Sequence, residues 1–182
     1  VLPSGTITLA NISSAIATTG KLSIVGNNTV ITATGETASL FHVLHDFEIE
    51  GVTFSGFSAT TSGNGGSIIY SLNSTDSGIT PVRISVRDCA FLNCKAPINI
   101  ESPFDRVIID KCRFETSVGY PIRLGTSGVP AQWGTWVGVS ITDVEIDGVT
   151  AVSTTQNVGG ILVYGTDPEV RSARISNVVG GG

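Results

Sequence analysis

Five stretches of the chain repeat one spacing: an apolar residue followed by apolar residues three, five and eight positions later, with polar residues or glycine between. They are Ile49-Val52-Phe54-Phe57, Val86-Cys89-Phe91-Cys94, Ile109-Cys112-Phe114-Ser117, Ile141-Val144-Ile146-Val149 and Val170-Ala173-Ile175-Val178, and Ser117 alone breaks the pattern. Successive copies start 37, 23, 32 and 29 residues apart, the period range of stacked repeat architectures. A unit this short cannot bury its own apolar side. Neighbouring copies must therefore stack, and equal positions in the unit then line up.

The residue two before the first apolar position is apolar in four copies, Phe47, Ile84, Val107 and Val139, with Pro168 in the fifth. Apolar and polar residues thus alternate on both sides of a polar or glycine pair: Glu50-Gly51, Arg87-Asp88, Asp110-Lys111, Thr142-Asp143 and Arg171-Ser172. Period-two alternation marks a strand, and the pair shifts it by one residue, so each copy holds two short strands meeting at a tight corner. A second bend is expected at the seventh position after the first apolar residue, occupied by Gly56, Asn93, Thr116, Gly148 and Asn177. Glycine and asparagine are the residues that best tolerate the positive φ of such a bend. A third strand follows at 67–70, 97–100, 121–124 and 161–164.

Three short strands per turn, winding in one direction, describe an all-β parallel β-helix, a solenoid of about six to seven turns. It forms one domain over residues 1–182. The stretches 5–9 and 20–31 supply the first, less regular turns, and residues 12–18 are assigned a short helix. An immunoglobulin-like sandwich would share the richness in Val, Thr and Gly. It would not set Phe54, Phe91 and Phe114, or Cys89 and Cys112, at equal positions of a repeat.

Charge and motif content narrow the function classes. With 15 acidic and 10 basic residues the net charge is −5, and no run of Lys or Arg occurs, so a nucleic-acid partner is not expected. No apolar run is long enough to span a bilayer, and no basic-then-apolar leader opens the chain; neither membrane insertion nor a signal peptide is expected. The 3 Cys, without a Cys-x-x-Cys pair, form neither a disulfide framework nor a metal site, and Cys89 and Cys112 read as buried thiols on neighbouring turns. His42 and His45 lack a zinc-ligand spacing and are read as polar turn residues, so the expectation is no metal and no cofactor.

The order Leu2-Pro-Ser-Gly-Thr6, Leu22-Ser-Ile-Val-Gly-Asn27 and Phe47-Glu-Ile-Glu-Gly-Val-Thr-Phe54 resembles the opening turns of pectin-lyase-like right-handed β-helices, especially phage tailspikes and related polysaccharide depolymerases. The resemblance spans nearly the whole chain. It implies a right-handed single-stranded coil, a parallel homotrimer, and a bacterial capsule or O-antigen polysaccharide as partner, on a virion tail or in the extracellular space. It also implies an N-terminal attachment domain and further C-terminal turns outside the residues given. The Asn-Thr-Asp, Asp-Asp and Gly-His-Gly motifs of polygalacturonases are absent, as is the clustered Asp array of the pectate lyase calcium site, which speaks against pectin as the substrate.

Stacking sets equal positions about 4.8 Å apart on neighbouring turns, so outward residues form ladders. In one ladder, Glu50, Arg87, Asp110, Thr142 and Arg171, the charges are expected to pair neighbour with neighbour. On the following strand the outward pairs are Thr53/Ser55, Ala90/Leu92, Arg113/Glu115, Glu145/Asp147 and Arg174/Ser176. Glu145 falls between Arg113 and Arg174. Glu115 and Asp147 are then left as adjacent like charges, one of which is expected to hold a proton near neutral pH.

Glycoside hydrolysis needs such a couple: one carboxyl protonates the leaving oxygen, and the other acts as base or nucleophile. Glu115 and Asp147 are accordingly the candidate catalytic acids, with Asp110, Glu145 and Glu101 as secondary ones. The Gly/Pro-rich connection 125–138 holds both tryptophans of the chain. Trp133 and Trp136 are a candidate platform for sugar rings, with Arg113 and Arg174 as further substrate contacts. The expected function is recognition and hydrolytic cleavage of a bacterial surface polysaccharide, lyase chemistry being the lesser alternative. Acids on such a surface are also ordinary solvated groups, so a non-catalytic stalk, appendage or adhesin using the coil as a rigid rod stays open.

Overall fold

The computed structural model describes residues 1–10, 14–34, 39–57, 67–71, 82–125, 138–150, 159–164 and 168–179. Its regular elements are all strands: β1 (Gly5–Ala10), β2 (Ile16–Ala17), β3 (Leu22–Thr34), β4 (Phe41–His42), β5 (Phe47–Ser55), β6 (Ile69–Ser71), β7 (Val82–Arg87), β8 (Ala90–Leu92), β9 (Ile98–Ile100), β10 (Phe104–Asp110), β11 (Arg113–Val118), β12 (Ile122–Leu124), β13 (Val139–Thr142), β14 (Glu145–Thr150), β15 (Ile161–Val163), β16 (Glu169–Arg171) and β17 (Arg174–Val179). An eleven-stranded sheet runs β16-β13-β10-β7-β5-β8-β11-β14-β17, with β3 on β5 and β1 on β3; a six-stranded sheet runs β15-β12-β9-β6-β4-β2. Every strand pair in both is parallel. No helix among the described residues is long and apolar enough to cross a membrane.

β5 explains why the larger sheet curls. Its first part, Phe47 to Glu50, pairs with β7, whereas Thr53 to Ser55 pair with β8. Between them Gly51 takes φ +68°, and the buried positions slip from Phe47 and Ile49 to Val52 and Phe54. In later copies the equivalent Asp88, Lys111, Asp143 and Ser172 take φ of 49°, 51°, 50° and 53°. There the strand stops and a new one starts. The second bend also falls where the residue types predict it: Gly56, Asn93, Thr116, Gly148 and Asn177 all have positive φ. Repeated left-handed residues at fixed register turn every strand pair in the same way.

The repeated apolar positions become ladders. Ile7, Ile31, Phe54, Phe91, Phe114, Ile146 and Ile175 follow one another across the larger sheet. Phe91 stacks on Phe54 at 5.5 Å and on Phe114 at 4.9 Å, with the rings 11° and 10° from parallel. The smaller sheet contributes Ile69, Ile98, Ile122 and Ile161 in register. Buried side chains of both sheets meet in one core. Burial fades at the last copy, where Val170, Ile175 and Val178 are 46%, 46% and 40% exposed, against at most 1% for their counterparts Ile141, Ile146 and Val149.

Ser117, the one break in the sequence pattern, is buried like the apolar residues it replaces, and its hydroxyl has no hydrogen-bond partner among the described residues. The three cysteines are buried, and none is in a disulfide. Sγ of Cys89 donates to the Arg87 carbonyl at 3.1 Å and Sγ of Cys112 to the Asp110 carbonyl at 3.3 Å. Burial pushes the Cys89 thiol up to about 11 and raises Cys112 as well, so both stay protonated.

Two expectations fail at the N-terminal end. Ile16 and Ala17, assigned to a helix over 12–18, form β2 and pair with Phe41 and His42 of β4. A hydrogen bond from Ile16 N to the Leu40 carbonyl at 2.8 Å draws this stretch into the parallel ladder, and its Ser, Thr and Ile content offers the helix little in return. Residues 11–13 lie outside the described set. His42 is likewise a strand residue rather than a turn residue, and its ring stacks on Tyr70 at 4.7 Å.

Candidate functional site

The acid couple lies on β11 and β14. Parallel pairing sets Arg113 opposite Glu145 and Glu115 opposite Asp147, and on the other side Glu145 faces Arg174. Glu145 sits as expected between two guanidinium groups, 3.8 Å from Arg113 Nε and 3.9 Å from Arg174 Nη1. Glu115, expected to lack a cationic partner, is ion-paired with Arg113 of its own strand. Asp147 accepts hydrogen bonds from Ser176 Oγ at 2.9 Å and Asn177 Nδ2 at 2.6 Å.

Those two bonds, Asn177 first and then Ser176, with the charges of Arg174 and Arg113, hold the Asp147 carboxyl below its usual range. This is the opposite of a proton-retaining acid. Asp147 therefore stays ionised near neutral pH.

Of the secondary acids, Glu145 shares Arg113 with Glu115, whereas Asp110 and Glu101 lie apart. Asp110 belongs to the ladder before the corner and accepts a hydrogen bond from Thr142 Oγ1 at 2.5 Å. The register Glu50-Arg87-Asp110-Thr142-Arg171 is as expected, but the charge pairing is not. No ion pair among the described residues joins Glu50, Arg87 and Asp110; Arg171 turns to Glu169 of its own strand. Glu101 follows β9 of the smaller sheet and pairs with Arg123 at 3.0 Å. Trp133 and Trp136 lie outside the described residues.

A second feature was not anticipated from the repeat. On the outer face of the ladder before the corner runs a groove of about 670 Å³ lined by Glu48, Arg83, Ser85, Arg87, Asp105, Arg106, Ile108, Ser140 and Glu169, together with Ile84, Gly138 and Val139. Ser85, Ile108 and Ser140 follow one another in register and form its floor. Gly138, at φ +68°, lets the backbone lie close against β10, since a Cβ there would stand 2.8 Å from the Asp105 carbonyl oxygen and 3.5 Å from Cγ of Arg106.

Each acid of the groove has its own base. Lys21 Nζ stands 3.2 Å from Glu48, Arg83 Nε donates to Asp105 at 2.8 Å, and Arg171 pairs with Glu169. Arg87 and Arg106 make no ion pair within 4 Å among the described residues, and Arg106 stands directly opposite Arg83 on the neighbouring strand. A signal for this pair was present: Arg83 and Arg106 both stand three residues before the first apolar position of their copies.

No group of three or more His, Cys, Asp or Glu among the described residues could hold a metal ion. Comparison with protein families, with curated proteins and with solved structures finds no match to the chain.

Proposed function

We propose that the protein is a right-handed parallel β-helix that recognises an extended bacterial surface polysaccharide, in the manner of the phage tailspikes its opening turns resemble, and that the groove over β7, β10 and β13 is the recognition surface. The observation that carries the reading is this groove: a channel of about 670 Å³ running across successive parallel strands, floored by Ser85, Ile108 and Ser140. Three facts support closure of the sheets into one coil. Both sheets follow the same chain order, all their pairs are parallel, and their buried faces share one core. Right-handedness is what parallel crossovers adopt in nearly all known sheets.

Cleavage at Glu115 and Asp147 is a second reading, favoured by their adjacency in register. An ionised Asp147 suits the base or nucleophile of glycoside hydrolysis, and the ion pair of Glu115 with Arg113 would have to open before Glu115 could serve as the acid. The couple lies across the corner from the groove, so binding and cleavage are separable.

The test is to measure binding and oligosaccharide release with purified capsules and O-antigens, using the wild type, S140W, E115Q and D147N. The indole of S140W should block the groove and abolish binding. Loss of release with intact binding in E115Q or D147N would establish cleavage at the couple. Undiminished binding by S140W would move recognition elsewhere, and no binding to any glycan would favour the rigid-rod reading.

A further inference from the structure

Resting on that reading of the groove, we infer that its ligand is an anionic polysaccharide whose acidic groups engage Arg106 with Arg83 at one end and Arg87 at the other. The chain as a whole is acidic, at net charge −5, yet the groove's lining sets Arg83, Arg87 and Arg106 against Glu48, Asp105 and Glu169, and two of these arginines are left without an ion pair among the described residues. Glu48, Asp105 and Glu169 are each engaged by a base, whereas Arg87 and Arg106 make no ion pair among the described residues. Arg87 is flanked in its ladder by Glu50 and Asp110, neither within ion-pair distance, and Asp110 turns to the Thr142 hydroxyl.

The Arg83 and Arg106 arrangement points the same way. Like charges directly opposite on neighbouring strands destabilise a sheet. Asp105 is hydrogen-bonded to Arg83, and its bond and charge, with the charge of Asp46, raise the guanidinium pKa of Arg83; Arg106 receives no such partner. A bound carboxylate would supply the missing counter-charge, and guanidinium groups match its planar geometry.

Arg83 and Arg87 are four residues apart on β7, so the two cationic ends stand roughly 13 Å from each other along the strand. Between them Ser85 and Ser140 offer hydroxyls and Ile108 an apolar patch, suited to the polar edges and C–H faces of sugars. That separation exceeds a single sugar ring. It calls for a polymer carrying repeated acidic groups rather than an isolated anion.

The experiment measures binding of the full chain to alginate oligosaccharides, to dextran of matched length and to oligothymidylate, at low and moderate salt. Alginate is expected to bind at least tenfold more tightly than dextran, with affinity falling as salt rises. R106Q and R87Q should each lose about tenfold or more toward alginate and distinctly less toward dextran, and R106K should recover part of the alginate loss. Circular dichroism verifies that these exposed substitutions leave the fold intact.

Alginate binding no tighter than dextran, or unchanged in both Gln variants, would overturn the anionic assignment. If dextran still binds and S140W blocks it, the groove survives as a neutral-glycan site. Tighter binding of oligothymidylate than of alginate would overturn the assignment to carbohydrate. Absence of binding by every probe would overturn this inference, and binding of natural capsules in the preceding experiment would then separate its failure from that of the groove.

Discussion

At the bend after the second strand, Gly56, Asn93, Thr116, Gly148 and Asn177 take φ between 52° and 82°, and Thr116 alone is β-branched. Cβ crowding in this left-handed conformation costs about 1–2 kcal/mol, less for asparagine. T116N, at an exposed site, is therefore expected to raise stability by about 1 kcal/mol in chemical denaturation; a loss would mean that the threonine makes a compensating contact. Ser117, next to it, shows what a residue pattern conveys. Its place in the repeat was legible as interior although its type is polar, but that its hydroxyl would go unpartnered depends on neighbours that spacing does not specify. Asp147 shows the reverse. Its like-charged neighbour was legible, whereas the Asn177 and Ser176 donors that hold it ionised were not weighed. Because its native pKa is depressed from the usual 3.8, its stabilising contribution is present above that value and lost as pH falls through the native one. The stability of D147N is thus expected to decline less than that of the wild type between about pH 4 and pH 2, monitored by thermal unfolding.

The two-strand unit with its corner was readable because alternation, its one-residue slip and the left-handed positions all agree within a dozen residues. The third strands were placed to within a residue or two for the same reason. β2 and β4, each of two residues, carry no periodicity at all; they are strands because their neighbours in the smaller sheet present a ladder to join. Phe91 carries the element-scale prediction. It is fully buried and sandwiched between Phe54 and Phe114, so its removal sacrifices both stacking partners and leaves a cavity in a column that cannot collapse without shifting two strands. F91A is expected to cost about 3–5 kcal/mol in urea unfolding. A cost near 1 kcal/mol would show that the column relaxes around the gap.

Across the whole molecule, stability should follow nearest-neighbour stacking, since each strand touches mainly the strands above and below it. Ile146 and Ile175 occupy the same position in adjacent copies, the first fully buried and the second 46% exposed on the last described copy. I146A is expected to cost about 2–5 kcal/mol and I175A about 1 kcal/mol; equal costs would mean that the last copy is covered in solution. The spacing of apolar residues sufficed to establish an all-β chain, its stacking register and its left-handed bends, because these follow from local alternation and from which side chains must avoid water. Register then made the neighbours of each outward residue predictable. What only three-dimensional packing decided was which charges bond. Side chains several bonds long choose among partners on their own strand and on two neighbours, so Glu115 went to Arg113, Arg171 to Glu169, and Arg87 and Arg106 were left facing a groove. The groove itself is lined by residues of five strands, from Glu48 of β5 to Glu169 of β16, a shape that no single copy of the repeat contains.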